Sequence, residues 1–536
     1  MLNNSHSKIS YLIVFLFWLI VYGTIYLQFE IGSDILGHYH FRQTQVGSVI
    51  LGFEDNSNLI GYKHPVLGPP WMVPMEFPLY QFIVARVSDV FGSNIIETGR
   101  FINAISVLII ALTINSAGKY FKLPQLLVFF IVLFICLSPH LIYWTFALMI
   151  EVFTLMLCIL GLYLSIRAIE SENIFLVVLA MLIMVAASLS KVTTFIPFAL
   201  ALILYFTGRW LLILKNKWKS SEVEFSSFAL EYTRNLASFG FITLFPATVL
   251  GWMFVGYSDA IKAQNPLTAF LVSENLKTFT FGKQSDFILS MRYLFTDFRF
   301  PGIPSLMEMF FGKFCIFFLV VGFLGWLRLR KFWVVGAFTI LMFLSGPLIF
   351  KNLYEVHFYY WVANFAFLSA FIAVGWYSIT TFIEDYLPEN TVFKNYRWVS
   401  LVFVTILFAY SSIPFYKWYY VKAEPKNAYV KAVGQAIKDN VNEDGIVLVF
   451  GEDWNSAVQF YSDRRLIMIK GGYKAKLEPA LKLLDYHDLS FSGAAICGKS
   501  RPNTNEIIRI LNDQIALKEY KKDTGCDLYF GKLNSN

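Results

Sequence analysis

Long apolar runs recur along almost the whole chain, and they restrict its fold more than any other feature. They lie near 9–28, 99–117, 124–138, 142–166, 174–190, 193–207, 236–257, 311–327, 332–350, 357–383 and 398–416. A helix needs about 20 such residues to cross a bilayer, so the runs predict about 11 transmembrane helices. Only 15% of the 536 residues are charged, while 57% are hydrophobic. A soluble protein of this size needs a larger charged skin. A soluble enzyme, a disordered chain and a fibre are excluded, and the lipid bilayer is the first partner. The first run has no small-residue cleavage site and is read as an anchor rather than a leader.

Basic residues orient the bundle. Counted from a cytoplasmic N-terminus, the inner connections hold Lys119 and Lys122, then Arg167, then Arg209, Lys215, Lys217, Lys219 and Arg234. Arg328, Arg330 and Lys331 follow, then Lys394 and Arg397. Each inner loop is thus basic, as the positive-inside rule requires. An odd number of spans puts the C-terminal tail outside the cytoplasm. The formal charge of +7 belongs to these loop ends. There is no basic stripe, so no nucleic-acid partner is expected.

The reading divides the chain into a membrane domain over 1–417 and an extracytoplasmic α/β domain over 418–536. Two outer loops are long, at about 29–98 and 258–310, and loops of that length usually carry function. The first contains an amphipathic stretch, Phe77–Phe91, either lying along the membrane surface or buried as a loop helix. The tail alternates helix and strand: a helix at Ala428–Asp439, strands at Ile446–Gly451, Leu466–Lys470, Ala494–Cys497 and Leu528–Phe530, and a helix from Trp454. Cys497 and Cys526 would bridge in an oxidising compartment. Two separate thiols are the other reading.

The polar residues that stand out cluster at the outer side. The first loop holds Gly37-His38-Tyr39-His40-Phe41-Arg42-Gln43-Thr44-Gln45 and, later, Met75-Glu76-Phe77-Pro78-Leu79-Tyr80-Gln81. Glu76 is a lone carboxylate among apolar neighbours. Desolvation there would raise its pKa toward the range of a general base, and a structural carboxylate bonded to backbone N–H groups fits equally well. Glu151 is an ionisable group about two turns inside the fourth apolar run, where function is the default reading. Lys191 and Arg100 stand at outer helix ends, where they either bind a lipid phosphate or reach to the headgroups. The segment Lys351–Tyr360, with His357, Tyr359 and Tyr360, suits a phosphate and a sugar, although interfacial aromatic belts use the same residues. His38, His40 and His64 have poor metal-ligand spacing, so a divalent metal is not indicated and no cofactor is assigned.

Taken in order, these features resemble the GT-C membrane glycosyltransferases, above all the branch of the protein O-mannosyltransferases and lipid A aminoarabinose transferases. Many bacterial members read approximately H-x-W-R-Q-x-D-T in the first loop, matched here by His40-Phe41-Arg42-Gln43-Thr44-Gln45-Val46. A later pattern, M-E-F-P-L-Y-Q, is matched in full by Met75 to Gln81. Gly99-Arg100, Ser138-Pro139 with Glu151 in place of Asp, Lys191, and His357-Phe358-Tyr359-Tyr360 complete the series, over about residues 9–380. One departure matters: the family's first-loop Asp, usually taken as the catalytic base, falls on Gln45.

The resemblance implies sugar transfer from a polyprenyl-phosphate-linked donor to a glycan, lipid or protein acceptor on the outer side of a bacterial inner membrane. Glu76 is then the base and Glu151 a positioning carboxylate. Arg42, Arg100, Lys191 and His357 are candidates for the phosphate, with His40, Gln45, Tyr359 and Tyr360 as further substrate contacts. Two other readings stand beside this one. A transporter would place its ionisable residues near the midplane. An inactive partner in an envelope-polysaccharide complex draws its support from Gln45.

Overall fold

The structure, a computed structural model, describes residues 2–28, 34–37, 39–53, 58–219, 230, 233–275, 284–297, 303–386, 396–421, 428–469, 473–522 and 525–531. His38 and Lys394 lie outside the described residues. The chain is a polytopic membrane protein. Among the described residues, seven helices are long and apolar enough to cross a membrane, and one bent pair makes an eighth. Three shorter apolar helices, Ile174–Ser190, Cys315–Arg328 and Trp333–Ile349, lie in further expected runs.

The fourth expected span needs a correction. The run 142–166 is not one helix. Helix Gln125–Cys136 ends before Ser138-Pro139, and a short helix Pro139–Phe146 leaves at 56° to it. Proline supplies no N–H and disfavours a helical residue before it. The chain then leaves helical geometry at Ala147 and re-enters it at Glu151, the first residue of helix Glu151–Ser171. Irregular backbone at this depth must be satisfied by protein groups, and three side chains do so. Arg100 Nε donates to the Phe146 carbonyl (2.7 Å), and Asn103 Nδ2 to those of Ala147 (3.2 Å) and Met149 (3.0 Å). The Leu148 N–H donates to Gln43 Oε1 (3.2 Å). Glu151 therefore sits at a helix N-terminus, where the helix dipole favours a negative charge.

Close helix packing is set by small residues in places. A Cβ added at Gly325 would lie 2.0 Å from the Gly375 carbonyl oxygen, so helices Cys315–Arg328 and Trp361–Tyr386 meet backbone to backbone.

The first outer loop contains a helix that the polar cluster did not predict. His40–Leu51 is helical, and ten of its residues are buried, from His40 and Arg42 through Ile50. The amphipathic stretch is a helix over Leu79–Phe91, with Tyr80, Gln81, Val84, Ala85 and Ser88 turned inward.

The tail is an α/β unit. Its strands are β1 (Ile446–Phe450), β2 (Arg465–Ile469), β3 (Gly493–Cys497), β4 (Leu517–Lys522) and β5 (Cys526–Gly531). Their order is β2-β1-β3-β5-β4, with β2, β1 and β3 parallel and β5 antiparallel to both β3 and β4. Strands β1 and β3 are buried along their whole length, as their unbroken apolar sequences require. Cys497 and Cys526 are opposite each other in the β3–β5 register and form a disulfide.

This sheet does not end at β2. The N–H groups of Leu466 and Met468 donate to the carbonyls of Pro65 and Val66, both at 2.9 Å, and Leu67 bridges Ile467. The first outer loop thus covers the β2 edge through an isolated antiparallel bridge. The core of the α/β unit accordingly includes Val66, Leu67, Trp71 and Val73 from that loop, and Leu267 and Leu271 from the second.

Candidate active site

A helix, a loop segment, a helix break and a turn converge on a cavity of about 210 Å³. Arg42 and Gln45 reach it from helix His40–Leu51, and Glu76 from the segment that follows the Leu67 bridge. Lys191 reaches it from the break between helices Ile174–Ser190 and Val192–Lys219, and His357, Tyr359 and Tyr360 from the turn before helix Trp361–Tyr386. Seven of the ten residues singled out in the sequence therefore line one space.

Among the described residues, the partners of Glu76 are side chains rather than backbone N–H groups. Arg42 Nη2 lies 2.9 Å from both its oxygens, and the Gln81 amide donates to Oε1 at 3.4 Å. Arg42 Nη1 donates to Gln45 Oε1, so one guanidinium holds the carboxylate and the glutamine together. Burial works against the charge on Arg42, but Glu76 foremost outweighs it and holds the guanidinium further above its ordinary range. The loop carrying Glu76 is pinned by Tyr62, whose hydroxyl donates to the Glu76 carbonyl (2.9 Å) and accepts from the Met75 N–H (2.8 Å).

A second pair lies alongside. Lys191 Nζ donates to Glu151 Oε1, with side chains 8% and 1% exposed. Its ammonium stands over the rings of Tyr359 (4.8 Å) and Tyr360 (4.5 Å), and His357 stacks on Tyr359 at 5.1 Å. A cation over aromatic faces is attracted by the ring quadrupole. Glu151 itself does not line the cavity; it acts on it through Lys191.

Several buried polar atoms around this space have no protein partner among the described residues: Arg42 Nε, Gln45 Nε2, Glu151 Oε2 and Thr193 Oγ1. Buried polar atoms are normally paired, so these atoms are available to water or to a polar ligand. Two matched ion pairs leave the cluster without net charge, and an arriving anion can draw on cations already in position.

Two expected residues stand elsewhere. Arg100 spends its guanidinium on the carbonyls of Phe146 and Asp34 (2.5 Å); it holds the helix break instead of facing the cavity. His40 turns toward the α/β unit, where its Nε2 lies 3.2 Å from the Tyr461 hydroxyl. Burial pushes His40 down to about 4. His64 is also bound to that unit, through the Ser456 hydroxyl at 3.0 Å, and burial aided by Arg42 pushes it down to about 3. Among the described residues no three metal-ligating side chains come together.

The sequence reading missed Lys262 and Trp454, which also line the cavity. Lys262 pairs with Asp259 at 2.9 Å and donates to the Leu271 carbonyl at 2.9 Å. The spacing of Asp259 and Lys262 by one helical turn was its only signal. Trp454 had none, because its place depends on how the tail docks.

No protein-family model matches the chain, and no curated protein matches its sequence. Solved structures do match its shape. ArnT from Cupriavidus metallidurans bound to undecaprenyl phosphate is 11% identical, with a TM-score of 0.58, over 97% of this chain and 98% of that one. The Archaeoglobus fulgidus oligosaccharyltransferase in the apo form gives 11% identity and a TM-score of 0.58, over 98% of this chain and 75% of that one. The oligosaccharyltransferase AglB from the same archaeon, in complex with an inhibitory peptide and a dolichol-phosphate, gives 11% and 0.56, over 96% and 74%. The likeness extends through the α/β tail as well as the membrane helices, and it is a likeness of fold.

Proposed function

We propose that this chain, which has the GT-C fold, moves a sugar from a polyprenyl-phosphate-linked donor to a cell-envelope acceptor on the outer side of a bacterial inner membrane. The observation that carries this reading is the cavity itself, where Arg42, Lys191, Lys262 and His357 surround a space that also holds a carboxylate, Glu76. The lipid phosphates held by two structures of the same fold support the donor class. The orientation, with the N-terminus cytoplasmic and the tail outside, rests on the basic inner loops and is supported by the Cys497–Cys526 bridge, which suits an oxidising compartment. The tail from about residue 418 is the extracytoplasmic domain in this reading.

The chemistry follows from the residues. Glu76 takes the proton of an acceptor hydroxyl, and the acceptor oxygen forms a bond to the anomeric carbon. The bond from that carbon to the phosphate oxygen breaks, and its electron pair leaves with the phosphate. Lys191 and Arg42 stabilise the charge that develops there, because they are fixed before the reaction begins. Glu151 positions Lys191, and Tyr359 and Tyr360 present faces to the sugar. Gln45 accepts from Arg42 and cannot itself be the base.

A second reading keeps the fold without the activity, as a partner in an envelope-polysaccharide complex, and Gln45 favours it. The test is mass spectrometry of envelope glycans from a deletion strain, the same strain carrying wild type, and the strain carrying Glu76→Gln at equal protein level. The transferase reading expects one sugar to be missing in the deletion, restored by wild type and not by Glu76→Gln. Restoration by Glu76→Gln removes Glu76 as the base. An unchanged glycan profile in the deletion removes the transferase reading.

A further inference from the structure

The α/β tail places one aromatic side chain in the cavity. Strand β1 has β2 on one side and β3 on the other, both parallel to it. The chain leaves β1 for β2 and then crosses back to β3, so the connections diverge at the carboxyl end of β1. Open α/β sheets bind ligands in the crevice at such a point. Here the loop at that end is Gly451 to Ser456, and it opens on the membrane-domain cavity.

The loop has a shape that serves this placement. Gly451 has a φ of 87°, and a Cβ there would lie 2.0 Å from the Cys497 carbonyl oxygen, so only glycine fits. Asp453 has a φ of 55°, which a non-glycine residue rarely adopts. Trp454 follows these turns and is partly buried between the core that the tail shares with the two outer loops and the cavity. Its ring meets Phe41 of helix His40–Leu51 at 6.0 Å and Phe270 of the second outer loop at 6.1 Å.

We propose that Trp454 and the loop after β1 form the acceptor subsite, and that the acceptor is a glycan with one sugar ring lying on Trp454. The proposal rests on the sugar-transfer reading and adds the acceptor class to it. A polypeptide that docks by strand addition needs free backbone groups at a sheet edge. The β2 edge on this side is occupied, because Leu466 and Met468 donate to Pro65 and Val66. The other edge is β4, three strands beyond β1 in the sheet order. What Trp454 offers is an aromatic face, which suits the C–H face of a sugar.

The test uses isolated membranes of the deletion strain carrying full-length protein, with polysaccharide purified from that same strain as the added acceptor. Initial rates of sugar incorporation are followed as polysaccharide concentration rises. Trp454→Ala is expected to raise the half-saturating concentration by about threefold to tenfold and leave the plateau rate in place. Trp454→Phe is expected to recover most of the loss. An unchanged concentration dependence in Trp454→Ala overturns the proposal, as does a lowered plateau that Trp454→Phe fails to rescue. Incorporation into envelope protein or lipid, with none into polysaccharide, overturns it too and leaves the transferase reading standing. Absence of any incorporation by wild type with polysaccharide, protein or lipid overturns both, and that outcome separates the two failures.

Discussion

Arg42 Nη2 stands 2.9 Å from each carboxylate oxygen of Glu76, while its Nη1 donates to Gln45. A single planar guanidinium thus fixes two residues that the sequence places 31 positions apart. Lysine has the charge but not the fork. Arg42→Lys is expected to slow sugar transfer at least about tenfold in membrane assays. Full activity in Arg42→Lys would mean that only the charge at this position matters.

The Lys191–Glu151 pair is buried, and breaking a buried pair costs more than removing it. Lys191→Met or Glu151→Gln alone leaves a partner uncompensated, at a cost of about 3–5 kcal/mol for complete loss of a partner's charge. The double variant Lys191→Met/Glu151→Leu is expected to recover most of that stability, read as thermal unfolding of the purified protein in detergent. It is not expected to recover activity, because the cation over Tyr359 and Tyr360 is gone.

His40 and His64 both fasten the first outer loop to the α/β tail, and burial keeps both neutral in the folded protein, at about 4 and about 3. Their unfolded value is 6.5. Below it the unfolded chain binds protons that the folded one refuses, so stability falls as pH drops from about 6.5 toward 4. It is unaffected by these two groups above about 7. Unfolding temperatures at pH 7.5 and pH 5 check this, and His40→Gln is expected to reduce the difference.

The Cys497–Cys526 bridge closes a loop with a sequence separation of 29. On chain entropy, its loss is worth about 3–4 kcal/mol. Cys497→Ala/Cys526→Ala is expected to lower the unfolding temperature of the tail. Thiol labelling of denatured protein from intact cells checks the compartment: three free thiols before reduction, for Cys136, Cys158 and Cys315, and two more after it. Five free thiols before reduction would contradict the outer placement.

How much of this was legible in the sequence follows from the range of each interaction. The apolar runs and the α/β alternation are local patterns: helices occupy most of the expected runs, with 142–166 broken, and β1, β2, β3 and β5 lie near expected strands, whereas β4 was not expected. Residues of short motifs, Arg42, Gln45, Glu76, Lys191, His357, Tyr359 and Tyr360, do meet at one cavity. The break at Ala147–Ile150 was hidden because nothing in that apolar stretch stops a helix; Arg100, Asn103 and Gln43 make it tolerable from elsewhere in the chain. The Leu67 bridge could not be read, since its partner Ile467 arrives only with the tail. Trp454 entered the cavity for the same reason.

The most direct test of the central claim is native mass spectrometry of the purified protein titrated with undecaprenyl phosphate and, separately, with undecaprenol. The account predicts that wild type retains the phosphate lipid at concentrations where the alcohol is not retained, and that Lys191→Met abolishes the difference. Equal retention of the two lipids by wild type, or an undiminished preference in Lys191→Met, would contradict it.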